Sequence, residues 1–438
     1  MQELKVDQKE LERRIRYVII LSKEIPWYVK KYKELGIDPD KIRNPQDLLK
    51  AYEKGLYTTK NDFPDLVTNY SILRQYYVTS GTTGRPAVVQ VTPDDMKRDQ
   101  RQCRMGYSTF ILENDRILNC FPSPPVVSGD ASKIGLTSFT VKLFHVPSQT
   151  LRDVDAFLNY RNILDFNVIF GLTTSLYRLP VKLFEKGVDA KHIGIEKIMV
   201  SGEPSSIDRR KKISEEFGGA NVWDWYASTE NFVIAYEENS FSNKYRVTIP
   251  ETLLFVTNDT KEEVNEGEVG DIILTNLYNV NEKPGMVLLN YRIGDSAKCL
   301  EKNEDIVTYI SDIKRESAYL LGAKLNPIEI EKIIEKLDNK FKCFTGEYAL
   351  INCHHPKTRK AILEVRAEVM SKVPKEEKER IIQNIEEELY STNLEVKTAV
   401  KDMGDAEVLV KLVNEGELYK GFEKIIKPGK PKRLITLG

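Results

Sequence analysis

Residues 197–225 read KIMVSGEPSSIDRRKKISEEFGGANVWDW, and this stretch decides the fold. The apolar run 197–200 predicts a strand, the charged segment 206–217 predicts a helix, and 221–225 predicts the next strand. The same alternation precedes it, with helices on either side of a strand predicted at 167–170. Alternating strands and helices predict a parallel, doubly wound sheet, whose ligands gather at the carboxyl ends of the strands.

Two candidate site positions follow from this sheet. The turn Gly202-Glu203-Pro204 comes after the strand at 197–200, and Tyr226 comes directly after the strand at 221–225. We therefore expect Gly202 and Tyr226 to lie just beyond strand ends, at the edge where ligands bind.

The rest of the chain adds helices, a β-rich stretch and a second domain. The first sixty residues predict helices packed on the body, because Leu11, Ile15, Val18 and Ile19 recur at helical spacing. Residues 252–291 are rich in turns and predict a β-rich subdomain. Together these patterns predict an α/β fold.

We place the domain boundary between residues 312 and 322. Residues 1–315 would form a large N-terminal domain, with doubly wound sheets and the β-rich subdomain. Residues 322–438 would form a small, mobile α+β C-terminal domain. Its predicted elements are a helix at 327–337, strands near 348–352 and 361–365, and a helix at 374–390.

The composition excludes several classes of function. The 438 residues include 65 Lys and Arg against 66 Asp and Glu, so no overall charge favours nucleic acid or a membrane surface. No apolar run approaches the roughly 20 residues that cross a bilayer as a helix. Five cysteines without a pairing pattern fit a reducing compartment. We expect a cytoplasmic protein whose partners are small molecules or proteins.

A loop between two predicted strands, at 75–78 and 87–91, carries the clearest chemistry. It reads Thr79-Ser80-Gly81-Thr82-Thr83-Gly84-Arg85-Pro86. Backbone N–H groups and hydroxyls in such a loop can surround phosphate oxygens. It is not a Walker A loop, because the Gly-Lys-Ser/Thr ending and the following helix are missing. A solvated hairpin loop is the alternative interpretation.

Four motifs in order resemble the adenylate-forming superfamily of acyl-CoA synthetases, peptide-synthetase adenylation domains and luciferases, and most closely its phenylacetate-CoA ligase branch. They are the loop 79–86, the Gly-Glu-Pro turn 202–204, the aromatic-x-x-Thr-Glu motif 226–230 and the Tyr-Arg-x-Gly-Asp motif 291–295. The resemblance covers the whole chain. It implies a set of nucleotide-binding residues: Thr79, Ser80, Gly81, Thr82, Thr83, Gly84, Gly202, Glu203, Pro204, Asp224, Tyr226, Asp295 and Arg315.

The chemistry of three of these side chains agrees with the implied roles. The ring of Tyr226 can lie against an adenine face, and Asp295 can accept hydrogen bonds from both ribose hydroxyls. Glu230 offers a carboxylate to the Mg²⁺ that bridges phosphates, and the resemblance makes Glu230 and Thr229 catalytic. The alternatives are a core aromatic for Tyr226, a solvated carboxylate for Glu230 and a turn former for Asp295.

The C-terminal segment Gly429-Lys430-Pro431-Lys432-Arg433 resembles the family's terminal Gly-Lys-x-x-Arg. The resemblance makes Lys430 the catalytic lysine, since a compact positive charge suits the point where a carboxylate attacks phosphorus. A solvated basic tail is the alternative, and Lys432 is the neighbouring candidate.

The chain departs from the family in three places, and the first is Ala87, where the family usually has a lysine directly after the loop's proline. Residues 312–317 read DIKRES where the family has Gly-Arg-x-Asp-Asp, so Arg315 or Lys314 can still reach the ribose but no hinge residue is assigned. The zinc-binding cysteines of many phenylacetate-branch relatives are reduced to Cys299, and zinc needs three or four close ligands. We expect no zinc.

The resemblance implies that ATP and Mg²⁺ activate a small carboxylic acid, aryl or arylacetic, as an acyl-AMP. The acyl group would then pass to a thiol of coenzyme A or of a carrier protein's phosphopantetheine, and a homodimer is allowed. Two alternatives stay open: an adenylyltransferase acting on a deazaflavin-type cofactor, and a catalytically silent nucleotide-binding regulatory protein.

Overall fold

The structure is a computed structural model that describes residues 7–79, 87–124, 126–315, 318–321, 323–325, 327–370, 373–402, 404, 406–422 and 434–436. These residues group into two compact units. The first holds the described residues up to 315 apart from 174–188, and the second holds 174–188 and the described residues after 315. The predicted domain limits, 1–315 and 322–438, stay a prediction.

The first unit contains both helices and strands. Its helices are α1 (Gln8–Ser22), α2 (Pro26–Leu35), α3 (Pro45–Glu53), α4 (Pro93–Tyr107), α5 (Ser128–Leu136), α6 (Val154–Leu164) and α8 (Ile207–Glu216), while α7 (Thr173–Glu185) belongs almost wholly to the second unit. Its strands are β1 (Gln75–Thr79), β2 (Ala87–Val91), β3 (Arg116–Asn119), β4 (Lys142–His145), β5 (Val168–Leu172), β6 (Lys197–Ser201), β7 (Asn221–Ser228), β8 (Phe232–Glu237), β9 (Tyr245–Val247), β10 (Thr252–Thr257), β11 (Val269–Asn276), β12 (Tyr291–Asn303) and β13 (Ile306–Arg315).

An 11-stranded sheet forms the centre of this unit, in the order β10-β11-β12-β13-β9-β8-β7-β6-β5-β3-β4. Strands β3 to β7 pair in parallel, and the order β4-β3-β5-β6-β7 is that of a doubly wound sheet with its reversal between β3 and β5. The predicted α/β fold is confirmed. From β8 onwards the pairing is antiparallel, so the predicted β-rich stretch continues this sheet through β10 and β11.

The N-terminal helices pack on the body as predicted. Helix α1 begins at Gln8 and is capped by Asp7, whose side chain accepts a hydrogen bond from the Glu10 N–H at 3.1 Å. Its predicted apolar face, from Leu11 to Ile19, is buried in a core that also contains Phe63 and Tyr291. These helices therefore share a core with Tyr291, the first residue of the predicted motif 291–295.

The second unit is an α+β arrangement. Its elements after residue 315 are β14 (Ala318–Leu320), β15 (Ala323–Leu325), α9 (Pro327–Phe341), β16 (Phe344–His354), β17 (Ala361–Val369), α10 (Lys375–Thr392), α11 (Leu394–Lys397), a π-helical turn (Thr398–Asp402), β18 (Ala406–Asn414) and β19 (Leu434–Thr436). Strands β18-β17-β16-β19 form one sheet, and α9 and α10 share its apolar core. The four elements predicted here from the sequence are α9, β16, β17 and α10.

In the described part of the chain, no helix has the length and apolar character needed to span a membrane.

Candidate functional site

The Gly202-Glu203-Pro204 turn lies where the sequence predicted it. Strand β6 ends at Ser201, and Gly202 follows with a positive φ of 84° that favours glycine. A Cβ atom on Gly202 would also lie 3.2 Å from Leu172 at the end of β5. Glu203 is buried next to it. The turn thus lies at the carboxyl edge of the parallel strands.

Tyr226 does not lie beyond a strand end, and that expectation was wrong. It is inside β7, because this strand continues past its parallel pairing with β6, which ends at Trp225. The extension is held by antiparallel pairing with β8, where Tyr226 is opposite Ala235. The pattern of residues 221–225 could not predict this, since β8 comes later in the chain.

Tyr226 and Asp295 form a buried pair. The Tyr226 hydroxyl donates to Oδ2 of Asp295 at 2.8 Å, and the two residues are 2% and 4% exposed. The other carboxylate oxygen, Oδ1, has no hydrogen-bond partner among the described residues. A buried polar atom without a partner is costly. Oδ1 is therefore suited to accept a hydrogen bond from a ligand.

The backbone around Asp295 is irregular. Strand β12 has a bulge against β11, with Ile273 opposite Arg292 but Asp271 opposite Ser296, and Gly294 has a positive φ of 84°. Such bulges redirect side chains at functional positions. On the other side of β12, Asp295 is the cross-strand partner of Arg315. The predicted ribose residue and the predicted cation are thus neighbours in the sheet.

Glu230 forms a second buried pair, with Tyr291. The Tyr291 hydroxyl donates to Oε1 of Glu230 at 2.6 Å, Glu230 is 6% exposed, and Tyr291 is fully buried. Asn276 donates to the Glu230 carbonyl oxygen at 3.0 Å. Burial, and then the neighbouring Glu230 charge, raise the pKa of Tyr291 well above its usual value, so the hydroxyl stays a donor. Thr229, next to Glu230, is half-buried.

Asp224 is held by groups that the sequence did not indicate. Its Oδ2 accepts from the Tyr245 hydroxyl at 2.8 Å, and its N–H donates to Glu237 Oε2 at 3.0 Å. Glu237 forms an ion pair with Arg210, and both side chains are fully buried. Arg210 belongs to a helix whose many charges predict a solvated face, so the pair carried no signal in the sequence.

Several predicted residues lie outside what the structure describes. Strand β1 ends at Thr79 and β2 begins at its antiparallel partner Ala87, which confirms that the predicted loop joins strand to strand. Ser80, Gly81, Thr82, Thr83 and Gly84 lie outside the described residues, as does Lys430. The Arg315 side chain is also outside them.

No group of three or more His, Cys, Asp or Glu side chains that could hold a metal ion occurs among the described residues. The magnesium-binding role of Glu230 stays a prediction. The prediction that zinc is absent stays a prediction.

A parallel α/β sheet with a glycine turn and two buried carboxylates near its carboxyl edge is the arrangement of a nucleotide-binding α/β protein. Residues 45–279 match the AMP-binding enzyme family, and this is more than half of the chain. The chain belongs to this family, and its resemblance to the adenylate-forming superfamily, in a phenylacetate-CoA ligase-like branch, is confirmed.

Among its curated relatives are two phenylacetate-coenzyme A ligases. The chain is 26% identical over 302 residues to that of Thermus thermophilus, a match that covers 65% of this chain and 63% of the relative, less than two thirds of its length. It is 23% identical over 334 residues to that of Pseudomonas putida, covering 72% of each. A solved structure of 2-hydroxyisobutyryl-CoA ligase has the same fold, with a TM-score of 0.73 at 18% identity over 98% of this chain and 89% of that one.

Proposed function

We propose that the protein is an AMP-forming acid–thiol ligase. In the first half-reaction a carboxylate oxygen attacks the α-phosphorus of ATP, a P–O bond forms, and the bond to pyrophosphate breaks. In the second, a thiol sulfur attacks the acyl carbon, the C–O bond to AMP breaks, and the thiol proton goes to solvent. The carboxylate is already the nucleophile, so the protein has mainly to position reactants and stabilise charge.

The observation that carries this proposal is Oδ1 of Asp295, which has no hydrogen-bond partner among the described residues. A buried carboxylate oxygen without a donor fits a ligand with hydroxyl groups, and the ribose of ATP supplies two. Tyr226 holds the other oxygen and so keeps the carboxylate in one orientation. The resemblance also implies a nucleotide-binding role for Arg315, whose backbone pairs with Asp295 across the sheet.

The remaining groups would bind the phosphates and stabilise their charge. Glu230 would hold Mg²⁺, which when bound neutralises phosphate charge and orients the chain of phosphates. The loop 79–86 would surround the phosphates with N–H groups and hydroxyls. Lys430 would stabilise the negative charge that develops at the α-phosphate during attack.

For the acid, we propose an aryl or arylacetic acid, and for the acceptor, coenzyme A or the phosphopantetheine of a carrier protein. The two phenylacetate-coenzyme A ligases among the relatives support this choice. The reversal of strand order between β3 and β5 is where doubly wound sheets bind ligands, so we place the acid beside the ends of these strands.

Product analysis tests the proposal. The protein is incubated with ATP, Mg²⁺, coenzyme A and one acid at a time from aryl, arylacetic and aliphatic sets, and AMP and thioester are measured by mass spectrometry. We expect AMP and thioester in equal amounts with at least one aryl or arylacetic acid. Acyl-AMP without thioester would exclude coenzyme A as the acceptor, and AMP formation with aliphatic acids alone would overturn the substrate class.

A further inference from the structure

The motif 291–295 contains a residue to which no role has been assigned. Tyr291 opens strand β12, four residues before Asp295, and its hydroxyl contacts Glu230 rather than Asp295. The 2.6 Å distance between Tyr291 Oη and Glu230 Oε1 is in the range of about 2.5–2.7 Å for a hydroxyl bound to a charged oxygen. This is a strong hydrogen bond to one oxygen of the carboxylate.

A fully buried tyrosine needs a hydrogen-bond acceptor but does not need a carboxylate. Tyr28 is also fully buried, and its hydroxyl donates to the backbone oxygen of Val287 at 2.9 Å and accepts from the Leu289 N–H at 3.0 Å. A buried carboxylate is a more costly partner than a backbone carbonyl, because it must also be kept out of water with its charge. The pairing of Tyr291 with Glu230 therefore suggests a role beyond packing.

Residues of the N-terminal region hold the ring of Tyr291 in place. Its centroid lies 5.4 Å from that of Phe63, which is itself buried. The neighbouring backbone is fixed as well, since the Arg292 N–H donates to the Thr58 oxygen at 2.9 Å and Asn290 donates to two backbone oxygens, those of Leu48 and Leu56. The N-terminal helical region thus fixes the position of the Tyr291 ring and its hydroxyl.

We propose that Tyr291 is the positioning residue of the magnesium-binding carboxylate. Its hydroxyl occupies Oε1 of Glu230 and restrains rotation of the carboxylate, which leaves Oε2 as the oxygen for the metal ion. This inference rests on the proposed function, in which Glu230 holds the Mg²⁺ of ATP. Hydrogen-bond partners that orient a metal-binding side chain typically change metal affinity by about 10–100-fold when they are removed.

The test measures metal binding without turnover. Mn²⁺ replaces Mg²⁺, because free Mn²⁺ has an electron paramagnetic resonance signal that disappears on binding. The titration is done with ATP and no acid, and a matched titration of Mn²⁺ with ATP alone is subtracted, since ATP also binds the ion. We expect Tyr291→Phe to weaken ATP-dependent Mn²⁺ binding about tenfold or more. In EDTA, calorimetry should give the variant an ATP affinity within about twofold of wild type, since the ribose contacts are intact.

Tyr28→Phe is the matched control. It also removes one buried hydroxyl near the start of strand β12, but that hydroxyl bonds to the backbone of Val287 and Leu289 rather than to a carboxylate. We expect a lower melting temperature and unchanged Mn²⁺ binding. If Tyr291→Phe is not folded by near-ultraviolet circular dichroism, Phe63→Leu keeps the hydroxyl, loosens the ring and should weaken Mn²⁺ binding in the same direction.

Three results would overturn the inference. Tyr291→Phe could bind Mn²⁺ as wild type does, or Tyr28→Phe could lose as much Mn²⁺ affinity as Tyr291→Phe. The third is that the ATP affinity of Tyr291→Phe in EDTA falls by as much as its Mn²⁺ affinity. In the fallback variant, unchanged Mn²⁺ binding would have the same meaning. A failure of the proposed function is distinguishable, because wild-type protein would then show no ATP-dependent Mn²⁺ binding at all.

Discussion

Removing the Asp295 carboxylate should weaken ATP binding by an amount that follows from its contacts. In the structure Oδ2 is bound by Tyr226 and Oδ1 has no partner among the described residues, so the ribose would supply the missing donor. A hydrogen bond to a charged group contributes about 1.5–3 kcal/mol. At 1.4 kcal/mol per factor of ten, the loss of one such bond in Asp295→Ala predicts a dissociation constant roughly 10- to 150-fold higher.

Calorimetric titration with ATP and Mg²⁺, in the absence of an acid, gives this number directly. Titrations with 2′-deoxy-ATP and 3′-deoxy-ATP identify the contact. Wild-type protein should bind at least one deoxy analogue more weakly than ATP, and Asp295→Ala should bind that analogue and ATP equally. Tyr226→Phe is the matched variant, because it keeps the carboxylate and should lose less affinity than Asp295→Ala.

Two outcomes would refute the reasoning. If Asp295→Ala binds ATP within about twofold of wild type, the carboxylate does not contact the nucleotide. If it binds ATP weakly but still discriminates against the deoxy analogues as wild type does, the ribose hydroxyls are bound elsewhere and the effect is structural.

Three further variants test other parts of the account. Lys430→Ala should release pyrophosphate about 10²–10³-fold more slowly in the presence of acid, yet convert supplied acyl-AMP to thioester at a near-normal rate. Lys432→Ala should keep both rates near those of wild type. The reverse pattern would show that Lys432 is the catalytic lysine. Gly106→Ala should lower the free energy of unfolding by about 1–3 kcal/mol through overpacking, because its Cβ would lie 2.3 Å from the Trp225 ring; an unchanged urea midpoint would contradict the close packing. Burial raises the pKa of Asp99 to about 7, above an unfolded value of about 3.9. Between these two pH values the folded protein keeps a proton that the unfolded chain has lost, so its stability falls as pH rises through this window. Asp99→Asn should therefore raise the urea midpoint more at pH 8 than at pH 5, and an equal change at both would argue against a raised pKa.

Local patterns predicted the fold well where neighbours in the chain are also neighbours in space. The strands β5 and β6, and the helices α8, α9 and α10, each came from the periodicity of their own residues. The continuity of the sheet from β7 into β8 did not, because antiparallel pairing with a later strand leaves no mark on the earlier one. For the same reason Tyr226 was expected beyond a strand end.

The sequence motifs predicted the candidate site residues but not the side chains that hold them in place. Asp295 and Glu230 stand in recognisable motifs, and their roles stay predictions. Their tyrosine partners lie 69 and 61 residues away in the chain, too far for any spacing rule to connect them. The buried pair of Arg210 and Glu237 was also missed, because a charged helix predicts solvated side chains until the strand it packs against is known.

The central claim is that this protein forms an acyl-AMP, and carboxylate-dependent exchange of labelled pyrophosphate into ATP tests it most directly. The assay reports the reversible first half-reaction alone and needs no thiol acceptor. We predict exchange that requires Mg²⁺ and at least one aryl or arylacetic acid, and that Glu230→Gln greatly reduces. Protein that binds ATP but gives no exchange with any aryl, arylacetic or aliphatic acid would contradict the account and favour a nucleotide-binding regulatory protein.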